Sequence, residues 1–234
     1  MINFQEQLSL FKNVIGTQLK KRVECIAIGG SAMMFYQAKN STKDVDLVFL
    51  NKDDLEAVKE ILYSSGFNER KNIQGIFRED EDTTKPIMME SPETRFDLFL
   101  NEVIGFKIHQ ATIERLREVH EFGNFIVKTA SPEDILMMKG CTDRERDRDD
   151  AAELIKRVNI DWKVIISETS AQTKIGMVAF PLLLYDFLTE LKENKKIDVP
   201  KEITKELLVI AEKQFKELKK NGQLIKVTKY KFKN

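Results

Sequence analysis

The sequence predicts an α/β fold, a mixed sheet flanked by helices, followed by a mainly helical C-terminal domain. Three observations predict it. Short apolar runs bounded by Gly, Asn and Asp crowd the first 130 residues. Apolar residues at intervals of three and four fill the remainder. Between them, Ser131-Pro132-Glu133-Asp134 is a helix start, with a capping residue, proline at the first helical position and acids in the first turn. Strands early and helices late suggest two domains, 1–130 and 131–234.

The elements follow in order. Phe4, Leu8, Phe11, Val14, Ile15 and Leu19 share one helical face, so 3–20 is expected as a helix. Val23 to Ile28 is an apolar run ending in Gly29-Gly30, a buried strand, after which Ser31 opens a helix. Asp44 to Leu50 reads as the next strand. Asn51 caps a helix over Asp53–Ser65 that turns Leu55, Val58, Ile61 and Leu62 inward, and Gly66 ends it. Strands are expected at Ile73–Phe77, Pro86–Met89 and Arg95–Leu100, with an acidic loop at Glu79–Asp82. A helix near Gln110–Val119 precedes a strand or hairpin at Phe122–Thr129, around Gly123-Asn124. Helices are expected at 132–142, 147–158, 161–170, 174–194 and 201–220.

Composition narrows the class. The 234 residues are 42% hydrophobic and 32% charged, a profile of a folded water-soluble protein. Formal net charge is zero, so bulk charge gives no reason to expect nucleic acid as a general partner. Cys25 and Cys141 form no CxxC pair and lie far from His109 and His120, which excludes a disulfide framework and a zinc site by spacing. The first fourteen residues are too polar for a secretory leader, and no run approaches the roughly 18 apolar residues that span a bilayer. A reducing, cytoplasmic compartment is therefore expected, without membrane contact.

The chemistry gathers in one stretch. An apolar strand ends in Gly29-Gly30-Ser31, and twelve residues later another begins Asp44-Val45-Asp46. Side chains alternate along a strand, so Asp44 and Asp46 leave on the same face. Two such carboxylates repel unless a cation lies between them, and hard Mg²⁺ suits their oxygens. Asp97 interrupts the apolar strand Phe96-Asp97-Leu98-Phe99-Leu100, where a lone charge is expensive unless paired or metal-bound. Glu90 and Glu93 are the competing candidates for a third carboxylate. Glycines at 29 and 30 let backbone N–H groups approach a phosphate, and Ser31 adds a hydroxyl.

Gly-Ser, a gap of about a dozen residues, Asp-x-Asp in an apolar strand and a later strand Asp together resemble the signature of polymerase-beta-like nucleotidyltransferases. The resemblance implies the nucleotidyltransferase fold for the N-terminal domain. It implies that Gly29, Gly30 and Ser31 hold an NTP, and that Asp44, Asp46 and Asp97 bind two Mg²⁺ ions, or Mn²⁺ in their place. Asp97 would also take part in deprotonating an acceptor hydroxyl. A second segment, Lys139 followed by Arg144-Glu145-Arg146-Asp147 and Asp150, resembles the branch of AbiEii-like type IV toxins and related stand-alone enzymes. It implies that Lys139 reaches a nucleotide phosphate and that Arg144, Arg146, Asp147 and Asp150 support the site; an antitoxin partner is left open. Asp143, Arg148 and Asp149 depart from the small or apolar residues usual there.

The acceptor is left open among tRNA, a protein side chain and a small molecule. The competing class is a non-catalytic nucleotide-binding or antitoxin-like protein with the same fold. In the last residues, Lys226, Lys229, Lys231 and Lys233 interleave with Tyr230 and Phe232. That pattern suits either RNA contact or a solvated, lysine-guarded end.

Overall fold

The computed structural model describes residues 1–70 and 85–221. The strand expected at Ile73–Phe77, the acidic loop Glu79–Asp82 and the Lys/aromatic pattern after 225 lie outside these residues. The chain divides into two compact units, Met1–Ile160 and Asp161–Asn234. The join expected from sequence stood at 130/131; here two of the later helices belong to the first unit.

The first unit is mixed α/β. In chain order its elements are β1 (Ile2–Asn3), α1 (Phe4–Ser9), a π-helical segment (Leu10–Gly16), β2 (Val23–Ala27), α2 (Gly29–Phe35), β3 (Ser41–Thr42), β4 (Asp44–Phe49), α3 (Lys52–Ser64) and β5 (Asn68–Glu69). These are followed by β6 (Ile87–Glu90), β7 (Arg95–Leu100), β8 (Glu102–Val103), β9 (Phe106–Lys107), α4 (Gln110–Glu114), β10 (Val119–Phe122), β11 (Phe125–Thr129), α5 (Pro132–Lys139) and α6 (Glu145–Arg157). Among the described residues the main sheet has seven strands in the order β10-β11-β2-β4-β7-β6-β5. β11 with β2 and β4 with β7 pair parallel; the other neighbours are antiparallel.

Local chemistry accounts for most boundaries. Asn51 Oδ1 accepts the Asp54 N–H and caps α3, which buries Leu55, Val58 and Leu62. Ser131 Oγ does the same for Asp134 at the start of α5, behind proline at its first position. The first helix stops at Gly16, short of the expected residue 20. A Cβ at Gly16 would fall 1.9 Å from the Phe122 carbonyl oxygen, so the chain meets the β10–β11 hairpin there. Val119, expected at the end of a helix, instead opens β10, because pairing with Lys128 outweighs its weak local preference. Gly123, at φ +65°, supplies the first position of the two-residue turn joining β10 to β11.

The core of this unit lies on the faces of the sheet. Phe11, Phe49, Phe96, Phe106 and Phe125 are fully buried, with Leu47, Leu62, Met33 and Leu98. Phe11 packs on Phe122 and Phe125 with ring centroids 5.5 and 5.7 Å apart. The second unit is helical: α7 (Trp162–Lys174), α8 (Phe180–Asn194) and α9 (Lys201–Lys220) pack on one another, and Leu184, Leu188, Leu191 and Leu207 are buried. Among the described residues no helix is long and apolar enough to cross a membrane.

Phe11→Ala should cost about 3–5 kcal/mol, since it empties a fully buried aromatic site. A urea titration should show a lower midpoint at an unchanged slope.

Candidate active site

β4 and β7 pair in parallel with Asp44 opposite Arg95 and Asp46 opposite Asp97. Alternation puts all four side chains on one face, and Val45 and Phe96, on the other, are fully buried. The strand sequence thus brings Asp44, Asp46 and Asp97 together at the floor of one cavity of about 520 Å³. That volume lies within the roughly 300–1,000 Å³ range of ligand sites. Neither competing acid lines the cavity: Glu90, opposite Arg95 on β6 and close enough to raise Asp97, accepts from Arg70 at 3.1 Å, and Glu93 is exposed in the turn before β7.

Packing the carboxylates this way raises the protonation of Asp46 and Asp97. Burial, then the neighbouring Asp97 and Asp44, push Asp46 up to about 7. Burial also pushes Asp97 up, against the pull of Arg95. Arg95 lies 2.7 Å from an oxygen of Asp44 and 2.7 Å from Asp97 Oδ1. Its Nε and Asp97 Oδ1 are buried and close, yet without an aligned hydrogen bond. Arg95 is therefore the cation that holds the acidic face in this conformation. Sequence reading overlooked it, although its place two residues before Asp97 is the signal that it shares that face.

The glycine turn closes one side. Gly29 sits at φ +54°, and a Cβ on it would come 2.6 Å from Asp46 Oδ2. A Cβ on Gly30 would come 2.5 Å from Thr42 Oγ1. Only glycine allows the backbone this close to the carboxylate and to β3. The helix expected from Ser31 begins at Gly29, with Ile28 as its N-cap. Ser31 is fully buried and its Oγ accepts the Asp46 N–H at 3.1 Å. Its observed role is to tie α2 to the acid strand. Gln7, also buried, donates to the Ser31 carbonyl from α1.

A second charged group faces the cavity from α5 and α6. Lys139 is 6% exposed and lies 3.1 Å from Asp147 and 2.6 Å from Asp150. Asp150 also pairs with Lys39, and Asp147 with Arg144 at 2.6 Å and Thr142. Burial alone would raise the Asp147 and Asp150 carboxyls, but Lys139 together with Thr142 and Arg144 at Asp147, and with Lys39 at Asp150, brings both below their ordinary range. Arg144 and Arg146 line the cavity and are exposed. Lys39, in the loop after α2, was not singled out by sequence; its stem passes beside Gly30.

A family model described as a nucleotidyltransferase of unknown function (DUF6036) matches residues 6–179. The chain belongs to this nucleotidyltransferase family. No curated protein matches it. The matched span holds the glycine turn, the acid strands and the Lys139–Asp150 cluster of this nucleotidyltransferase.

The acid face also meets the chemical needs of a hard cation. It offers carboxylate oxygens, one of them buried without an aligned partner, and a carboxyl whose ionisation is costly without positive charge. Among the described residues, no three His, Cys, Asp or Glu side chains converge closely enough to hold a metal ion as they stand. Asp44 and Asp97 are drawn instead to Arg95. An ion held there would have to displace Arg95 from these pairs.

The folded chain retains a proton on Asp46 up to about pH 7, whereas an ordinary aspartate loses it near 3.8. Asp46 thus lowers stability as pH climbs through that window, with little further loss above it. Asp46→Asn removes the loss. Without divalent metal, the variant should melt a few degrees above the wild type at pH 8 and alongside it at pH 4.

Proposed function

We propose that this nucleotidyltransferase moves a nucleoside monophosphate from an NTP to an acceptor hydroxyl and releases pyrophosphate. One observation carries the reading: Asp46 and Asp97 stand in register on adjacent strands, with the Gly29 backbone against Asp46. Asp44, Asp46 and Asp97 would hold two Mg²⁺ ions, or Mn²⁺, and the bound cations would neutralise charge on the α-phosphate and leaving group.

The chain's own residues divide the remaining work. The backbone at Gly29 and Gly30 receives the β- and γ-phosphates, where no side chain blocks approach. Lys139, Arg144 and Arg146 add positive charge along the same wall, and Lys139 and Arg144 exchange an aspartate for a phosphate oxygen. Ser31, buried behind the turn, keeps Asp46 at its position. The acceptor oxygen attacks the α-phosphorus and forms the new P–O bond. The bond to the bridging oxygen breaks, and pyrophosphate leaves with the electron pair. The hydroxyl proton passes to Asp97, whose raised affinity for protons suits it to that task.

The Lys139 to Asp150 segment supports placing the enzyme near the stand-alone AbiEii-like branch. An antitoxin partner belongs to that placement and would be sought as a co-purifying protein.

Asp46→Asn and Asp97→Asn should each lower pyrophosphate release by about 10³-fold or more, by analogy with removing a central electrostatic element of a catalytic site. Circular dichroism should show the fold retained. Turnover near the wild-type rate in either variant would refute the assignment.

A further inference from the structure

The cavity has two chemically different corners, and the strand layout assigns them to different reactants. Gly29 and Gly30 mark one corner, beside Asp46, Thr42 and the Lys39 stem. Asp46 and Asp97 occupy the middle. Past Asp97, β7 carries Phe99 on the same face, then leads into the β8–β9 hairpin with Val103 and Ile104. Pro86, just ahead of β6, completes this far corner.

In phosphoryl transfer the attacking and leaving oxygens lie roughly in line across the phosphorus. On the reading above, pyrophosphate leaves at the glycine corner. The acceptor must then arrive from the corner of Pro86, Phe99, Val103 and Ile104. The cations are placed otherwise. Among the described residues lining the cavity, Lys39 and Lys43 stand on the loop before β4, and Lys139, Arg144 and Arg146 on α5 and the start of α6. Asp150 ties Lys139 to Lys39 beside Gly30. Arg95 is held by Asp44 and Asp97, and the Met1 ammonium lies by β3, where Ile2 pairs with Thr42. An RNA end would bring its own flanking phosphates to the far corner, where the described lining residues Pro86, Phe99, Val103 and Ile104 carry no charge.

Ile104 adds a separate observation. With Gly105 it forms the two-residue turn of the β8–β9 hairpin, at φ +51° and +87°. Asn or Gly is the ordinary occupant of that first position, and a β-branched residue is strained there. Ile104 is also 45% exposed, so little packing offsets the strain. A strained apolar side chain displayed at the rim of a reaction cavity points to a ligand.

We propose that the acceptor hydroxyl is borne on an uncharged, apolar body, part of a protein side chain or a small molecule, and that Ile104 is the surface it rests against. The proposal rests on the transfer reaction described above. Its test begins with wild-type enzyme, Mg²⁺, each α-labelled NTP and a cell extract separated into RNA, protein and small molecules. Label should enter protein or small molecules, which also tells the two sources apart. With the labelled fraction as varied substrate, Ile104→Asn should raise the acceptor KM at least about tenfold. The NTP Kd, read by calorimetry, should stay within about twofold, because the substitution lies away from the phosphate corner. The same variant should melt at or above the wild-type temperature, since asparagine relieves the turn; a residue serving the fold alone would not combine greater stability with a higher KM. Label in RNA, an acceptor KM unmoved by Ile104→Asn, or no label in any fraction despite Mg²⁺-dependent NTP binding would each overturn the proposal. Failure of the wild type to bind any NTP with Mg²⁺ would instead remove the transfer reaction beneath it.

Discussion

Asp46 and Asp97 face the same way from neighbouring strands, in a part of the fold where water screens their charges poorly. Two unit charges about 5 Å apart repel by roughly 3 kcal/mol at an effective dielectric near 20. The molecule answers that repulsion in two ways. Asp46 keeps a proton to near neutrality, and Arg95 reaches across to Asp44 and Asp97. Both answers are provisional in chemical terms, because a proton and a guanidinium can each be displaced by a harder, more concentrated positive charge. The acid face is stable without a ligand and still has much to gain from one.

The opposite wall is built on the same logic with the signs exchanged. Lys139 is nearly buried, and Asp147 and Asp150 satisfy it. Asp150 in turn is shared with Lys39. Such pairs are costly to break from one side only, since the abandoned charge stays buried. On the proposed function a triphosphate would give Lys139 a phosphate oxygen, and the carboxylates left behind would keep Thr142 at Asp147 and Lys39 at Asp150. On that proposal each half of the cavity carries an internal stand-in for its ligand, and nucleotide entry would be an exchange of partners.

Much of this could be read from the chain before folding. Period-two alternation placed Asp44 with Asp46, and the cost of a charge inside Phe96–Leu100 marked Asp97. Caps at Asn51 and Ser131 and the boundaries of α9 were likewise visible, because each is governed by residues within a turn of one another. Features depending on distant partners were harder to see. The early stop of the first helix depends on the Phe122 carbonyl, and β10 depends on its pairing with β11. The glycines beside Ser31 suggested a phosphate ligand; its bond to the Asp46 amide, spanning fifteen positions, had no local signal. Lys39 gained meaning only once α6 had folded over it. Arg95 was a different kind of omission, since the alternation that grouped the acids applied equally to it.

The acid-bearing strands occupy the interior of the sheet: β4 lies between β2 and β7, and β7 between β4 and β6. Interior strands exchange their amide hydrogens slowly, often only through the largest opening events a domain undergoes. Fraying at β10 or β5 can therefore come and go without separating Asp46 from Asp97. Warming should leave the carboxylate spacing almost unchanged until the unit opens as a whole. Thermal inactivation would then be abrupt and cooperative.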